Sequence, residues 1–536
     1  MKKLRYSFIA LLVLQFHLSA QQTFDYEVLI EPLEIQGLIG LQSFVFGQSD
    51  GKWLIVGGRK DGIHARQPFN AFPVNNNNTS LYVIDPINQQ IWSSSVSALP
   101  TSMAEQLQST NMCFFQDDDT LYIIGGYAYA ASAVDHITFD KLTTVNVSGV
   151  IQAIVGGQNI SSFFKQQTAD IFANTGGQLG KIGDIFYLVG GQRFDGRYNP
   201  MGNPTYTQTY HTKIQKFKIN NSGSQPLISD YSEIVDPVHL RRRDYNLMPQ
   251  IYPDGAFGYL ISSGVFQLSS DLPFLYPVEI KESGYEAKTD YNQYLSNYHS
   301  SKVALFDASS NETHNLFFGG ISQYHYNNGQ IVQDDLVPFV KTISRFSRYA
   351  NGTYEEFNLP IEMPGLKGAG SEFILNKSNP LLFDNILNLN ALTQDTTLIG
   401  HIYGGIESSQ EHPFSNNQTN TTSASTSIYK VKLVKAKSSG IPSQPVNGKN
   451  PYSMIIHPNP FDTFIRVEID MTHAQNARYI INALDGTIVQ SGVLDKIKEH
   501  GNMQSIELPS TLQSQALKLT VIIDGKFFLT ETIIKD

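Results

Sequence analysis

Leu54-Ile55-Val56-Gly57-Gly58, Tyr122-Ile123-Ile124-Gly125-Gly126 and Tyr187-Leu188-Val189-Gly190-Gly191 repeat one pattern, an apolar β-type run that stops on a glycine pair. It returns as Tyr259-Leu260-Ile261-Ser262-Ser263-Gly264, Leu316-Phe317-Phe318-Gly319-Gly320 and His401-Ile402-Tyr403-Gly404-Gly405. A glycine pair at a strand's end allows a bulge or a close backbone approach that a Cβ would block. One such pair is a hairpin turn or chance; six in the same context argue against chance.

Another strand and a turn precede each run, as in Phe44-Val45-Phe46 before Ser49-Asp50-Gly51, Cys113-Phe114-Phe115 before Asp117-Asp118-Asp119, and Pro249-Gln250-Ile251 before Pro253-Asp254-Gly255. A polar loop and a third run follow: Leu81–Asp85, Ile137–Asp140, Ile214–Phe217, Ile343–Phe346 and Ile428–Val431. A fourth run ends near a proline, at Leu99-Pro100 and Leu359-Pro360. Four strands repeated about every 70 residues describe a propeller blade, because one such sheet cannot bury its own apolar face and must stack on neighbours around a ring.

The glycine pairs followed by an apolar-Asp strand resemble the kelch repeat, over residues 24–435. The likeness is degenerate: only the first unit keeps the fourth-strand tryptophan, Trp92, and Ile84 stands where kelch units carry a tyrosine. The expected fold is all-β, a six-bladed kelch-like β-propeller followed by a small C-terminal antiparallel β-sandwich. Seven blades are the alternative count, since the fourth is poorly marked.

Ring closure is also written in the chain. Tyr26-Glu27, Pro32–Ile35, Gly37-Leu38 and Gly40 recur at the same spacing as Tyr354-Glu355, Pro360–Met363, Gly365-Leu366 and Gly368. The second copy is a fourth strand leading into the next blade. The first is therefore expected to be an orphan fourth strand that completes the last blade near 428–433 and removes exposed edges.

Residues 1–20 read as a signal peptide: Lys2, Lys3 and Arg5, the apolar run Phe8–Leu18, then a small-residue exit at Ser19-Ala20. The propeller is expected over 21–435 and a linker over 436–450, where no apolar period asks for burial. Residues 451–536 alternate apolar and polar residues with turns at Asp485-Gly486 and Asp524-Gly525, which reads as a small antiparallel sandwich. Their opening Pro458-Asn459-Pro460-Phe461, the turn at Gly486 and the terminal Lys535 resemble the sorting domain of the type IX secretion system. That resemblance implies export to the periplasm, passage across the outer membrane by the type IX secretion machinery, and a secreted or cell-surface location. An ordinary carbohydrate-binding or fibronectin-like sandwich is the alternative.

Formal net charge is −10, from 38 basic and 48 acidic residues, and offers no phosphate-neutralising field for nucleic acid. Cys113 is the only cysteine, so no intramolecular disulfide forms. No further stretch is long and apolar enough for a stable membrane span.

Chemistry is expected on the long loops between second and third strands, 59–80, 192–212, 322–341 and 407–426, gathered at one mouth of the ring. Two begin alike, with Arg59 and Asp61 before Gly62, and with Arg193, Asp195 and Arg197 around Gly196. An Arg-x-Asp-Gly run offers a guanidinium fork to a carboxylate or to sugar hydroxyls, or else only makes a turn beside a paired arginine. His64, Arg66 and Phe69 on the first loop, Tyr324 and His325 on the fifth, and His412 and Phe414 on the last set aromatic rings beside planar donors, a sugar site or else small local cores that hold the loops. Arg241, Arg242 and Arg243, followed by Asp244, form the densest positive patch, an anion clamp or a set of internal pairs. The candidate partner is a glycan or an extracellular protein. A copper-radical sugar oxidase would need Cys113 cross-linked to tyrosine plus two histidines, which nothing in the spacing assembles. Sialic-acid mutarotases share the six-bladed kelch-like form and keep a sugar isomerase open as a second reading, and a structural surface component is a third. No cofactor and no metal site are expected: closely spaced histidines are absent, and Asp117-Asp118-Asp119 lacks the alternation of a calcium loop.

Overall fold

The computed structural model describes residues 24–536 except 201–204, 296, 328, 384, 437–442, 470–473 and 495–502. The expected signal peptide lies outside the described residues. Six four-stranded antiparallel meanders follow one another. Blade one is Val45–Ser49, Lys52–Val56, Ser80–Asp85 and Gln90–Ser95; blade two is Cys113–Asp117, Thr120–Ile124, Lys141–Asn146 and Phe164–Thr168. Blade three is Gln178–Ile182, Ile185–Val189, Lys213–Asn220 and Leu227–Val235; blade four is Asn246–Ile251, Phe257–Ser262, Val278–Lys281 and Gly284–Ala287. Blade five is Ser301–Asp307, Glu312–Ile321, Phe339–Arg348 and Tyr354–Glu362. Blade six is Leu366–Leu375, Thr396–Ser408 and Ile428–Lys435, completed by the N-terminal strand Tyr26–Leu33. First strands neighbour first strands and line the axis.

The closing strand runs antiparallel to the last, Tyr26 opposite Lys435 through Leu33 opposite Ile428. Its internal copy Tyr354–Glu362 holds the same fourth place in blade five, from Tyr354 opposite Arg348. The ring thus closes by strand pairing between its two ends, and no blade is left with an open central strand.

The glycine pairs owe their place to contact between blades. A Cβ on the first glycine would stand 2.6, 1.8, 2.4, 2.1 and 2.3 Å from a carbonyl oxygen of the next blade's entrance at Gly57, Gly125, Gly190, Gly319 and Gly404. Those glycines also hold left-handed φ values of 51–68°. In blade four Ser263 takes the first position with φ 65°, so the degenerate copy keeps the same backbone shape.

Two segments differ from expectation. The third strand of blade two is Lys141–Asn146; Asp135–Thr138, which overlaps the expected run 137–140 at Ile137 and Thr138, instead pairs with Tyr127–Ala130 as a loop hairpin. Ala128, Ala130 and Phe139 give that hairpin a small core of its own, which draws Phe139 out of the blade. Within the expected linker, Gln444–Val446 adds a strand to the outer edge of blade five, with Glu356 opposite Val446 and Asn358 opposite Gln444. One buried apolar residue, Val446, and the Tyr291 hydroxyl donating to its carbonyl at 3.2 Å suffice to dock it, so no apolar period was needed.

The C-terminal unit is a sandwich of three strands, Met454–His457, Phe464–Ile469 and Met503–Glu507, against four, Ile488–Leu494, Ala477–Ala483, Gln515–Ile523 and Phe527–Lys535. Ile465, Val467, Tyr479, Ile481, Leu519 and Val521 fill its core. The alternate residues Ile480 and Ile522, with Phe528, face outward and bury against Val238, Leu240, Phe274 and Tyr276 of the propeller. A sheet apolar on both faces is covered on both, here by its partner sheet and by blade four. No helix among the described residues is long and apolar enough to cross a membrane.

Candidate functional site at the long-loop face

Where each blade begins, one residue donates its backbone N–H to the residue in the same place of the preceding blade. Ser43 donates to Gly370 at 2.8 Å, Asn111 to Ser43 at 3.1 Å, and Gly176 to Asn111 at 3.0 Å. Asp244 donates to Gly176 at 2.8 Å, His299 to Asp244 at 2.9 Å, and Gly370 to His299 at 2.8 Å. Six bonds close a circle around the mouth of the channel. Ser43, Asn111, Gly176, Asp244 and Gly370 hold left-handed φ values of 52–71°, which turn each chain through the circle.

The long loops form a collar above this circle. Arg197 of blade three donates from Nε to Ala71 O and from Nη2 to Phe69 O, both at 2.7 Å, so its loop spans blade two to reach that of blade one. Blade one's loop meets blade six's through Ile63 N to Thr422 Oγ1 at 3.0 Å and the Asp61 to Ser423 bridge. Blade six's loop meets blade five's through His412 Nε2 and Asp334 Oδ2 at 2.8 Å. Loops cross-bonded in this way surrender their freedom before any ligand arrives, which lowers the entropy lost on binding.

The structure distributes the expected site residues unevenly. Arg59 is 2% exposed and fully engaged: Nε and Nη2 hold both oxygens of Asp61 at 2.7 and 2.5 Å, and Nη1 donates to Asn77 Oδ1 at 2.9 Å. Arg193 holds Asp195 and Asp170, each at 2.6 Å. Both Arg-x-Asp pairs therefore fasten their own loops. Arg242 is buried away from the mouth against Phe274 and Tyr276, donating to the carbonyls of His239, Ser263 and Tyr276 at 2.9 Å. Arg241 lies on the Tyr210 ring at 3.7 Å and donates to Phe266 O. Tyr324 is buried and bonds Gln333 Oε1 at 2.7 Å, with Lys526 of the sandwich over its ring at 5.1 Å, so it belongs to the domain interface; His325 follows it on that loop's hairpin with a buried, unpaired Nδ1.

His64 and Arg243 are brought together. The His64 ring stacks on Phe72 at 4.8 Å and meets the edges of Tyr198 at 4.6 Å and Phe414 at 5.3 Å. Burial lowers its pKa to about 4, and the charges of Arg243 and Arg59 push the same way, so the imidazole is neutral at pH 7. Arg243 pairs with Asp244 and donates from Nε to Tyr210 OH at 3.2 Å. Burial works against its charge, yet Asp244 and Tyr210 hold its pKa above the ordinary guanidinium value.

The sequence reading names Arg66 beside His64 on the first loop and holds Tyr198 and Asp244 only as parts of their motifs; it missed His299 and Glu372. Arg66 has a single hydrogen bond, to Ser415 O at a long 3.4 Å, and lies over Phe414 at 5.6 Å. His299 Nε2 meets Glu372 Oε1 at 2.8 Å; burial would raise the Glu372 pKa, but Lys302 and His299 bring it below the ordinary carboxylate value. The place two residues before the first strand, shared by blades one to five, is the signal that leads to Asp244 and His299. Among the described residues no group of three or more His, Cys, Asp and Glu side chains could hold a metal. Cys113 is buried, and that burial raises its thiol pKa strongly.

No family model matches the chain, and no curated protein matches it. Among solved structures it is similar to YjhT, with a TM-score of 0.42 and 11% identity over 76% of this chain and 98% of that one. It is also similar to sucrose-6-phosphate hydrolase from Lactobacillus gasseri, with a TM-score of 0.28 and 7% identity over 94% of this chain and 88% of that one.

Proposed function

We propose that the protein is an exported propeller that binds a glycan or protein ligand bearing a carboxylate at its long-loop face, and that its C-terminal sandwich serves type IX secretion. One observation carries the binding half: at the centre of a pre-assembled collar, Arg66 and Arg243 retain unspent guanidinium donors beside the rings of His64, Tyr198 and Phe414. Planar donors recognise a carboxylate, and rings receive the apolar face of a sugar or an aromatic side chain. Neutral His64 adds a hydrogen bond to a hydroxyl without desolvating a charge.

The sorting half is supported by Pro458-Asn459-Pro460-Phe461 and Lys535 meeting at one edge of the sandwich. Phe461 N donates to Ile534 O at 2.9 Å, Asn459 bonds Thr532 O and Ile534 N at 2.9 Å, and Lys535 Nζ reaches Asp462 at 3.3 Å. Secretion and a surface location are proposed on that motif and on the charged, apolar start of the chain.

A sugar-acting enzyme is the second reading, favoured by the carboxylate-oriented imidazole of His299 at the channel circle. A glycan array and envelope extracts, probed with the exported chain, test the first. Binding to acidic glycans or to an extract protein is expected, weakened about tenfold or more in Arg66→Ala, as loss of a charge-assisted bond predicts. No binding to any of them refutes the reading, and turnover of an acidic sugar that His299→Ala abolishes favours the second.

A further inference from the structure

The opposite face of the wheel holds a second cleft. Blade six leaves its sheet between its first and second strands for an excursion described over 376–383 and 385–395. Ile386–Asn388 of this segment lies parallel to Ser301–Asp307, the innermost strand of blade five, with Ile386 and Leu387 fully buried. The excursion therefore packs into the base of the axial channel. Just before that strand, Phe383 reaches blade four and stacks on Phe257 at 4.6 Å and 22°, yet stays 55% exposed. Its φ of 49° is unusual for an aromatic residue and holds the ring toward blade four.

Between Phe383 and the turns of blades two, three and four lies a cleft of about 780 Å³, lined by Phe115, Asp117, Lys181, Phe257, Lys281 and Phe383 among others. Both of its lysines are paired in place, while Glu282 on the same lining has no ion pair among the described residues. Lys181 Nζ meets Asp117 Oδ2 at 2.5 Å; Lys281 lies between Asp254 at 3.9 Å and Glu279 at 3.8 Å, over the Tyr252 ring at 4.2 Å. An anion would have to displace a carboxylate from its lysine. A neutral hydroxylated ligand finds fixed donors and acceptors side by side, next to an exposed pair of stacked rings. Sugar hydroxyls can bridge such ion pairs while the C–H face of the ring covers the aromatic platform.

We propose that this turn-face cleft is a binding site for a neutral oligosaccharide, separate from the collar site and built by the blade-six excursion. The test is a saturation-transfer NMR titration of the full exported chain with cellohexaose, mannohexaose, xylohexaose and N-acetylchitohexaose. At least one should bind. Phe383→Ala should weaken it about five- to tenfold, the loss of one stacking contact, and Asp117→Asn should weaken it too, while Arg66→Ala leaves it unchanged. Phe383 is exposed enough that the fold should survive; if the excursion loosens instead, Asp117→Asn decides. Absence of binding by all four sugars, unchanged affinity in Asp117→Asn, or loss of binding in Arg66→Ala overturns the proposal.

Discussion

Gly125→Ala should destabilise the propeller by about 3–6 kcal/mol. The new methyl would lie 1.8 Å from Asn174 O, 2.8 Å from its carbon and 3.0 Å from its nitrogen. Carbon atoms in packed interiors sit about 3.5–4.0 Å apart, so the entrance of blade three must retreat by more than about 1.5 Å. The same carbonyl accepts the Gly126 N–H at 2.8 Å, and that bond is lost with the retreat. A φ of 68° adds about 1–2 kcal/mol for a residue with a Cβ. Overpacking adds about 1–3 kcal/mol and the hydrogen bond about 1 kcal/mol. Gly183→Ala is the control: its φ is 56°, but nothing lies within 4 Å of the added Cβ, so it should cost only the backbone part. Urea denaturation followed by tryptophan and tyrosine fluorescence measures both. If Gly125→Ala costs no more than Gly183→Ala, the glycine pairs do not act through contact between blades.

The pH dependence of stability follows from buried groups whose pKa values burial has moved. Burial lowers His64, His239 and His401 to about 4 and His314 to about 3, so from pH 6.5 downward the unfolded chain takes up protons that the fold refuses. Each histidine then removes up to about 1.4 kcal/mol per pH unit. Burial raises Glu356 to about 8 against the N–H groups of Leu295 and Tyr294, so its contribution is present at low pH and is lost as pH rises from about 4.5 toward 8. The urea midpoint should peak near pH 6.5, and Glu356→Gln should flatten the alkaline side; a wild-type midpoint that climbs from pH 6.5 to 8 refutes this. Phe528→Ala should cost about 3–5 kcal/mol of sandwich docking, since Phe528 is buried against Tyr276 at 4.7 Å. Hydrogen exchange at Val278–Lys281 should accelerate while that of blades one and two stays constant.

The ring was legible because its determinants are periodic: in five of six blades a glycine pair stands where the second strand meets the next blade's carbonyl, and the Tyr26 and Tyr354 copies mark the same fourth strand. The site was far less so. At the circle of the channel mouth stand Ser43, Asn111, Gly176, Asp244, His299 and Gly370, five residue types in six places, because their backbones make the contact. Position relative to the first strand is constant in blades one to five, Gly370 alone lying within its strand, and composition is free. The arginines were visible, but whether each is spent depends on partners distant in sequence. Arg59 takes Asn77, 18 residues away, and Arg197 takes Phe69, 128 residues away.

Blade four shows how a weak repeat is tolerated. Its third and fourth strands have four residues each, and its glycine pair has become Ser263-Gly264. The sandwich covers this blade. Ile480, Ile522 and Phe528 join Tyr259, Ile261, Val278 and Ile280 in one apolar cluster. Buried polar groups fix the register of that contact. Asp236 receives Lys518 Nζ at 3.1 Å and Tyr285 OH at 2.5 Å, while His239 joins Tyr276 OH at 2.7 Å and Thr530 Oγ1 at 3.1 Å. Burial favours a neutral Asp236, but the neighbouring His239 and Lys518 and the Tyr285 bond hold its pKa at about 2, so the carboxylate stays charged and keeps Lys518. Breaking such a buried pair leaves an unpaired charge, which is more costly than never having built it. A sandwich docked only through apolar contacts could slide or dissociate; one latched to Asp236 is selected for a single pose. The blade whose third and fourth strands are only four residues long is therefore the blade to which the C-terminal domain is bound.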